Sequence, residues 1–184
     1  MNKLLLTSAL VATFGAAALA PQVARASDGT ITFNGKVTAS TCTIGVNGGG
    51  ASNGVTLPTV ATSALSGSIG KVAAATPFSV KLTACTFAPA GTVGLYFEPG
   101  PNTLADGNLK NTAASNGVEI QLLNGTQGVM TLNSAPGSQN GSTATVATGD
   151  TSATLNYYAQ YYASAATVTA GTVTSTVTYS VVYP

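Results

Sequence analysis

The stretch from Gly171 to Pro184 constrains this chain more than any other, because its side chains sort into two rows at a period of two. One row reads Gly171, Val173, Ser175, Val177, Tyr179, Val181, Tyr183 and is largely apolar, β-branched or aromatic. The opposite row is Thr172, Thr174, Thr176, Thr178, Ser180, Val182, Pro184 and is mostly hydroxyl. This is the pattern of a half-buried strand. A strand must pair, so the question it raises is what lies along its free side.

Ser27 to Val37 alternates in the same way. Gly29, Ile31, Phe33, Gly35 and Val37 share one face, and Asp28, Thr30, Thr32, Asn34 and Lys36 share the other. Asn34-Gly35 is also a hairpin-turn pair, but the alternation runs through it to Val37, which favours one continuous strand. A glycine inside such a pattern marks a place where another backbone comes close.

Before this stretch, Asn2-Lys3 is followed by an apolar run from Leu4 to Ala20 and by Ala24-Arg25-Ala26. A basic start, an apolar centre and a small-x-small site predict a secretory leader, residues 1–26, cut after Ala26. A membrane-spanning helix is the weaker reading, since the apolar run is barely long enough and no second one follows, so no membrane span is expected in the mature chain. Loss of Lys3 and Arg25 leaves four basic and five acidic residues, which offers no basic patch for nucleic acid.

Cys42 and Cys85 are the only cysteines. An even count in an exported chain predicts one disulfide. The mature chain suits a single domain of 184 residues less the leader, with an all-β composition rich in Thr, Val and Gly and only 6% charged residues. Short strands are expected at Thr41–Val46, Val55–Val60 (an edge, because of Pro58), Phe78–Cys85, Thr92–Phe97, Val118–Leu123 and Leu155–Ala163, with a further short one at Val129–Leu132. Residues 61–75 read as a loop with one helical turn, and 133–150 as an exposed loop. Asn-Gly pairs punctuate the strands, as in a sandwich or barrel.

The residues offer little for catalysis. Histidine is absent, which removes the usual general base. Asp28, Glu98, Asp106, Glu119 and Asp150 are scattered rather than paired. Gly48-Gly49-Gly50 lacks the Lys-Ser/Thr of a phosphate loop. No catalytic residue, metal or cofactor is expected. Of the tyrosines at 157, 158, 161 and 162, Tyr157 and Tyr161 share a face and read as core, while Tyr158 and Tyr162 occupy the other face. An exposed tyrosine row keeps a self-contained, secreted carbohydrate-binding sandwich as the alternative.

The two alternating ends and the cysteine spacing resemble the chaperone–usher pilus subunits of the type 1 fimbrial major-subunit kind. The marks are the penultimate Tyr183, Gly171 fourteenth from the end, the Gly-x-Ile-x-Phe-x-Gly-x-Val run before Cys42, and a Phe-x-Val-x-Leu strand closing at Cys85. The resemblance implies an incomplete immunoglobulin-like β-sandwich of six strands plus an N-terminal donor strand. It implies a donor extension at 27–37 and a pilin domain at 38–184. Gly29, Ile31, Phe33, Gly35 and Val37 would be donor-strand residues, with Gly35 at the fourth position, where such subunits usually carry glycine. Gly171, Val173, Val177, Tyr179, Val181 and Tyr183 would line the acceptor groove, and Cys42 and Cys85 would join the first strand to the one ending at Cys85. The implied partners are identical or related pilin subunits, a periplasmic chaperone and an outer-membrane usher, in a surface fimbria reached through the periplasm. A tip adhesin is disfavoured, since this chain has no room for an added binding domain, and a major shaft subunit is expected.

Overall fold

A computed structural model describes residues 31–33, 35, 37 and 41–184 of the chain. The chain divides into two units, Met1–Lys36 and Val37–Pro184, and the fold is that of the second. The expected leader at 1–26 and Gly29 lie outside the described residues.

The strands are β1 (Thr43–Val46), β2 (Val72–Thr83), β3 (Gly91–Glu98), β4 (Leu109–Lys110), β5 (Val118–Asn124), β6 (Thr143–Val146), β7 (Ala153–Ala163) and β8 (Thr178–Val182). One sheet runs β1-β2-β7-β5-β4 and the other β6-β3-β8. Every named pairing is antiparallel. The alternating residues of both sheets meet in one apolar core: Phe78 and Val80 of β2, Ile120 and Leu122 of β5 and Leu155 of β7 face Leu95 and Phe97 of β3. Tyr157 sits at its centre, stacked on Phe78 and edge-on to Phe97, each at a centroid distance of 5.4 Å. Its hydroxyl donates to the Ser142 carbonyl at 3.2 Å, which satisfies the one polar atom of a fully buried ring. Tyr161 is half-buried against the same core, and Tyr158 and Tyr162 are half-buried on the other face.

A disulfide joins Cys42 and Cys85, as expected. It fastens the start of β1 to the end of β2, beside the Thr43–Thr83 pair. Closing a loop with a separation of 43 residues removes chain entropy from the unfolded state worth about 4 kcal/mol.

Four expectations are corrected. β2 begins at Val72, six residues ahead of Phe78; Ala73 to Ala75 are too small to show alternation, and a bulge lies between Ala73 and Thr76. Pro77 is tolerated inside β2 because of where β1 stops. Asn47 pairs with Ser79 through its N–H (2.9 Å) and its Oδ1 (2.9 Å). Residue 77 points its backbone to the same side as residue 79, beyond that last contact, where an N–H is not needed. Residues 133–150 are not all loop, since β6 lies within them and pairs with Gly91–Gly94. Its burial does alternate, Thr143 and Thr145 outward and Ala144 and Val146 inward, but two inward residues, one of them alanine, make too short a period-2 signal to stand out in a Ser/Thr-rich stretch. Val129–Leu132 makes an isolated bridge, Leu123 with Val129, in place of a strand. Val55–Val60 is in no ladder at all.

Past Gly94, where β6 ends, the exposed flank of β3 is closed by a side chain. Gln139 is 3% exposed. Its Oε1 accepts the Phe97 N–H at 3.0 Å and its Nε2 donates to the carbonyls of Phe97 (2.6 Å) and Leu132 (2.7 Å). Replacing Gln139 by Ala strands these buried backbone groups, each a cost of about 1–3 kcal/mol. The Gln139→Ala chain should lose about 2–4 kcal/mol in urea denaturation with the disulfide intact, at an unchanged m-value.

Candidate functional site

From Val173 to Tyr183 burial alternates without a break: odd-numbered residues are half-buried and even-numbered ones exposed. Only Thr178–Val182 of this stretch is a ladder strand. It pairs with β3 from Glu98–Thr178 to Gly94–Val182, and among the described residues nothing pairs with its other side. The ladder stops at Glu98 because the chain turns away at Pro99-Gly100-Pro101, and the Gly100 N–H, next in line on the β8 side, donates to Thr103 Oγ1 at 3.1 Å instead.

Residues 172–176 are held instead by the side chains of Asn111 and Asn102 and by Thr112. Asn111 Oδ1 accepts the Thr174 N–H at 3.0 Å, and Asn111 Nδ2 donates to the Thr172 carbonyl at 3.0 Å. The Thr112 N–H and hydroxyl both donate to the Thr174 carbonyl, at 2.8 and 2.9 Å. Asn102 Nδ2 donates to the Thr176 carbonyl and hydroxyl at 3.3 and 3.0 Å. All these contacts go to even-numbered residues. In extended chain the backbone groups of odd residues point the opposite way, and those of Val173, Ser175 and Val177 have no hydrogen-bond partner among the described residues.

The opposite rim is the stretch from Cys42 to Val60. Ile44, Val55 and Leu57 are half-buried against the same core as Val177, Tyr179 and Val181. Cys42 and Ile44 pack in the cluster that includes Val181 and Tyr183, and Val60 packs in the one that includes Val173. The two rims therefore run in opposite directions. They touch through the Tyr179 hydroxyl, which donates to the Ala51 carbonyl at 2.8 Å. Burial raises the Tyr179 phenol above its ordinary range, so it keeps the proton it donates. Val55 to Val60 makes no backbone–backbone hydrogen bond among the described residues. The result is a groove with an apolar floor and one edge of open backbone groups.

Of the expected groove residues, Val173, Val177, Tyr179, Val181 and Tyr183 line up in this row, while Gly171 is exposed beside Asn116. Ser175, in the same row, has a buried Oγ with no hydrogen-bond partner. On the expected donor side, Ile31, Phe33 and Val37 are 80%, 88% and 100% exposed and in no strand. A Cβ on Gly35 would meet nothing within 4 Å. Asn102, Asn111, Thr112 and Ala51 were not foreseen; an Asn in a turn-rich stretch carries no signal of the distant backbone it binds.

The family model described as type-1 fimbrial protein A (FimA) matches residues 57–184. The chain belongs to the type 1 fimbrial subunit family. It is 47% identical over 156 residues to the major fimbrial subunit SMF-1 of Stenotrophomonas maltophilia strain K279a, covering 81% of this chain and 89% of that one. It is 44% identical over 155 residues to the F17 fimbrial protein of Escherichia coli, covering 80% and 83%. Its fold is similar to that of a chaperone–usher pilus subunit from a study of rod uncoiling (TM-score 0.57, 21% identity, 90% of this chain and 100% of that one). It is also similar to the P pilus rod subunit PapA (TM-score 0.58, 18% identity, 78% and 99%). The sandwich of this pilin is thus the incomplete immunoglobulin-like one of its family. As a family member it is a structural fimbrial subunit, exported through the periplasm to the cell surface, with related pilins, a periplasmic chaperone and an outer-membrane usher as partners.

The lone hydroxyl of Ser175 supplies a check on the open groove. A buried hydroxyl without a partner costs about 1–3 kcal/mol. Ser175→Ala should therefore stabilise the unfilled subunit by about 1 kcal/mol, read as a higher urea midpoint, whereas a hydroxyl with a hidden partner would make the same change destabilising.

Proposed function

We propose that this subunit polymerises by donor-strand exchange, with residues 29–37 of one subunit filling the groove of the next. The observation that carries this function is the open edge of the final strand. Its odd-numbered side chains are half-buried, and the backbone groups of Val173, Ser175 and Val177 point into the groove without partners. An added strand supplies ladder hydrogen bonds to such an edge, and its alternate side chains enter the floor. The N-terminal arm has the matching alternation, with Ile31, Phe33 and Val37 exposed. Burying these three contributes roughly 5–9 kcal/mol before ordering costs.

Gly35 fits the same role. Nothing near it in its own chain excludes a side chain, so the reason for a glycine lies with the backbone it will pass. The chaperone fills the groove in the periplasm and the arm replaces it at the usher. The chain works as a structural subunit and not as an enzyme, and the odd row from Val173 to Tyr183 is the acceptor.

The test is thermal unfolding of the oxidised, refolded chain with a synthetic peptide of residues 27–37, and with the same peptide carrying Gly35→Asn. For a domain of this size each kcal/mol moves Tm by about 2–4 °C, so the peptide should raise Tm by roughly 10–30 °C. The Asn peptide should give little or no rise. A Tm that ignores both peptides would show a sandwich already complete.

A further inference from the structure

We infer, on the donor-strand reading above, that Asn111 is a positioning residue for strand uptake. Its side-chain amide replaces the neighbour strand that β3 fails to supply beyond Glu98. It thereby keeps residues 172–176 extended, with the odd-numbered backbone groups turned toward the incoming strand.

A strand residue in a ladder accepts one N–H and donates to one carbonyl on the facing strand. Asn111 does both, to Thr174 and Thr172, at 3.0 Å each. The amide is locked in this pose by its remaining capacity. Its Oδ1 also accepts the Ala113 N–H at 3.0 Å, and its Nδ2 also donates to Asn116 Oδ1 at 3.0 Å. Asn116 Oδ1 in turn accepts the Val118 N–H at 3.3 Å, at the first residue of β5. The clamp is thus tied to the larger sheet, and Asn111 is only 7% exposed.

The chemistry admits few substitutes. Asp keeps the acceptor for Thr174 but loses the donor to Thr172, and Ala loses both. Without the clamp, residues 172–176 are tied only through Thr112 and Asn102, and an incoming strand must order them as it binds. Uptake then becomes slower and weaker, while the core between the sheets, which Asn111 does not enter, stays packed.

The experiment measures uptake of a fluorescent peptide of residues 27–37 by the oxidised, refolded chain, for wild type, Asn111→Ala, Asn111→Asp and a control, Leu123→Ala. Leu123 is buried but belongs to neither the groove row nor the clamp. Asn111→Ala should slow uptake about tenfold, Asn111→Asp by an intermediate factor, and Leu123→Ala should leave the rate near wild type even where it lowers Tm more. A wild-type rate for Asn111→Ala, or a loss no larger than that of Leu123→Ala, overturns the clamp and leaves donor-strand exchange standing. A wild-type chain that takes up no peptide overturns donor-strand exchange and the clamp together. If Asn111→Ala does not fold, amide hydrogen exchange in the wild type decides. The Thr174 amide should be protected without peptide, while those of Val173 and Ser175 exchange fast until peptide is added. Fast exchange at Thr174 overturns the clamp.

Discussion

The rest of this structure depends on one unmade ladder. The final strand is paired along β3 and clamped by Asn111, Thr112 and Asn102, yet among the described residues no strand pairs with its other side. Water can satisfy the open backbone groups, so the edge itself is tolerable. The apolar row beneath it is harder to leave, because Val173, Val177, Tyr179, Val181 and Tyr183 all stop at half burial. Globular proteins commonly defend such an edge with lysines, a proline or a bulge. From Gly171 to Tyr183 there is none of these, and no charged residue at all. An edge left undefended in this way is suited to receiving a strand.

Elsewhere the fold closes its ladder ends with side-chain amides. Asn47 caps Ser79 where β1 stops, Gln139 caps Phe97 where β6 stops, and Asn111 takes over from β3 beyond Glu98. Gln139 and Asn111 each present a donor and an acceptor, as a peptide group does, and Asn47 supplies the acceptor with its Oδ1 and the donor with its own backbone N–H. With 6% charged residues the chain has few ions to spare for such work, and a neutral amide satisfies a buried backbone group without the desolvation cost of a charge. The contrast is informative. Amides seal these ladder ends, and among the described residues none bonds the groove side of residues 173–177.

Much of this was legible in the sequence, for a physical reason. The period of two survives wherever one face of a strand is buried and the other wet, which is why Gly171–Tyr183 and Phe78–Leu82 stood out. It fails where the side chains are small, as at Ala73–Ala75, and it is too brief to read where a strand is four residues long with only Ala144 and Val146 facing in, as in β6. Val55 and Leu57 show the reverse case. Their inward direction was readable, but a direction is not a ladder, and their neighbour strand is the one the domain lacks. The clamp was illegible, because Asn111 and Thr174 are far apart in sequence and asparagine is an ordinary turn residue.

In the donor-strand exchange proposed above, the driving force would come from side chains more than from the backbone. A chaperone strand and a subunit arm make the same kind of ladder with the same row of backbone groups, so replacing one by the other trades hydrogen bonds nearly one for one, and each is worth only about 1 kcal/mol net. What differs is the side chains that enter the floor and how closely the backbone settles. In the exchange proposed above, Ile31, Phe33 and Val37, exposed in their own chain, would carry the apolar area that the arm alone contributes, and Gly35 would let its backbone settle against the groove. On this account the specificity of assembly is written in the alternation of the arm against the odd row of the final strand, and the backbone supplies the common currency that any strand can offer.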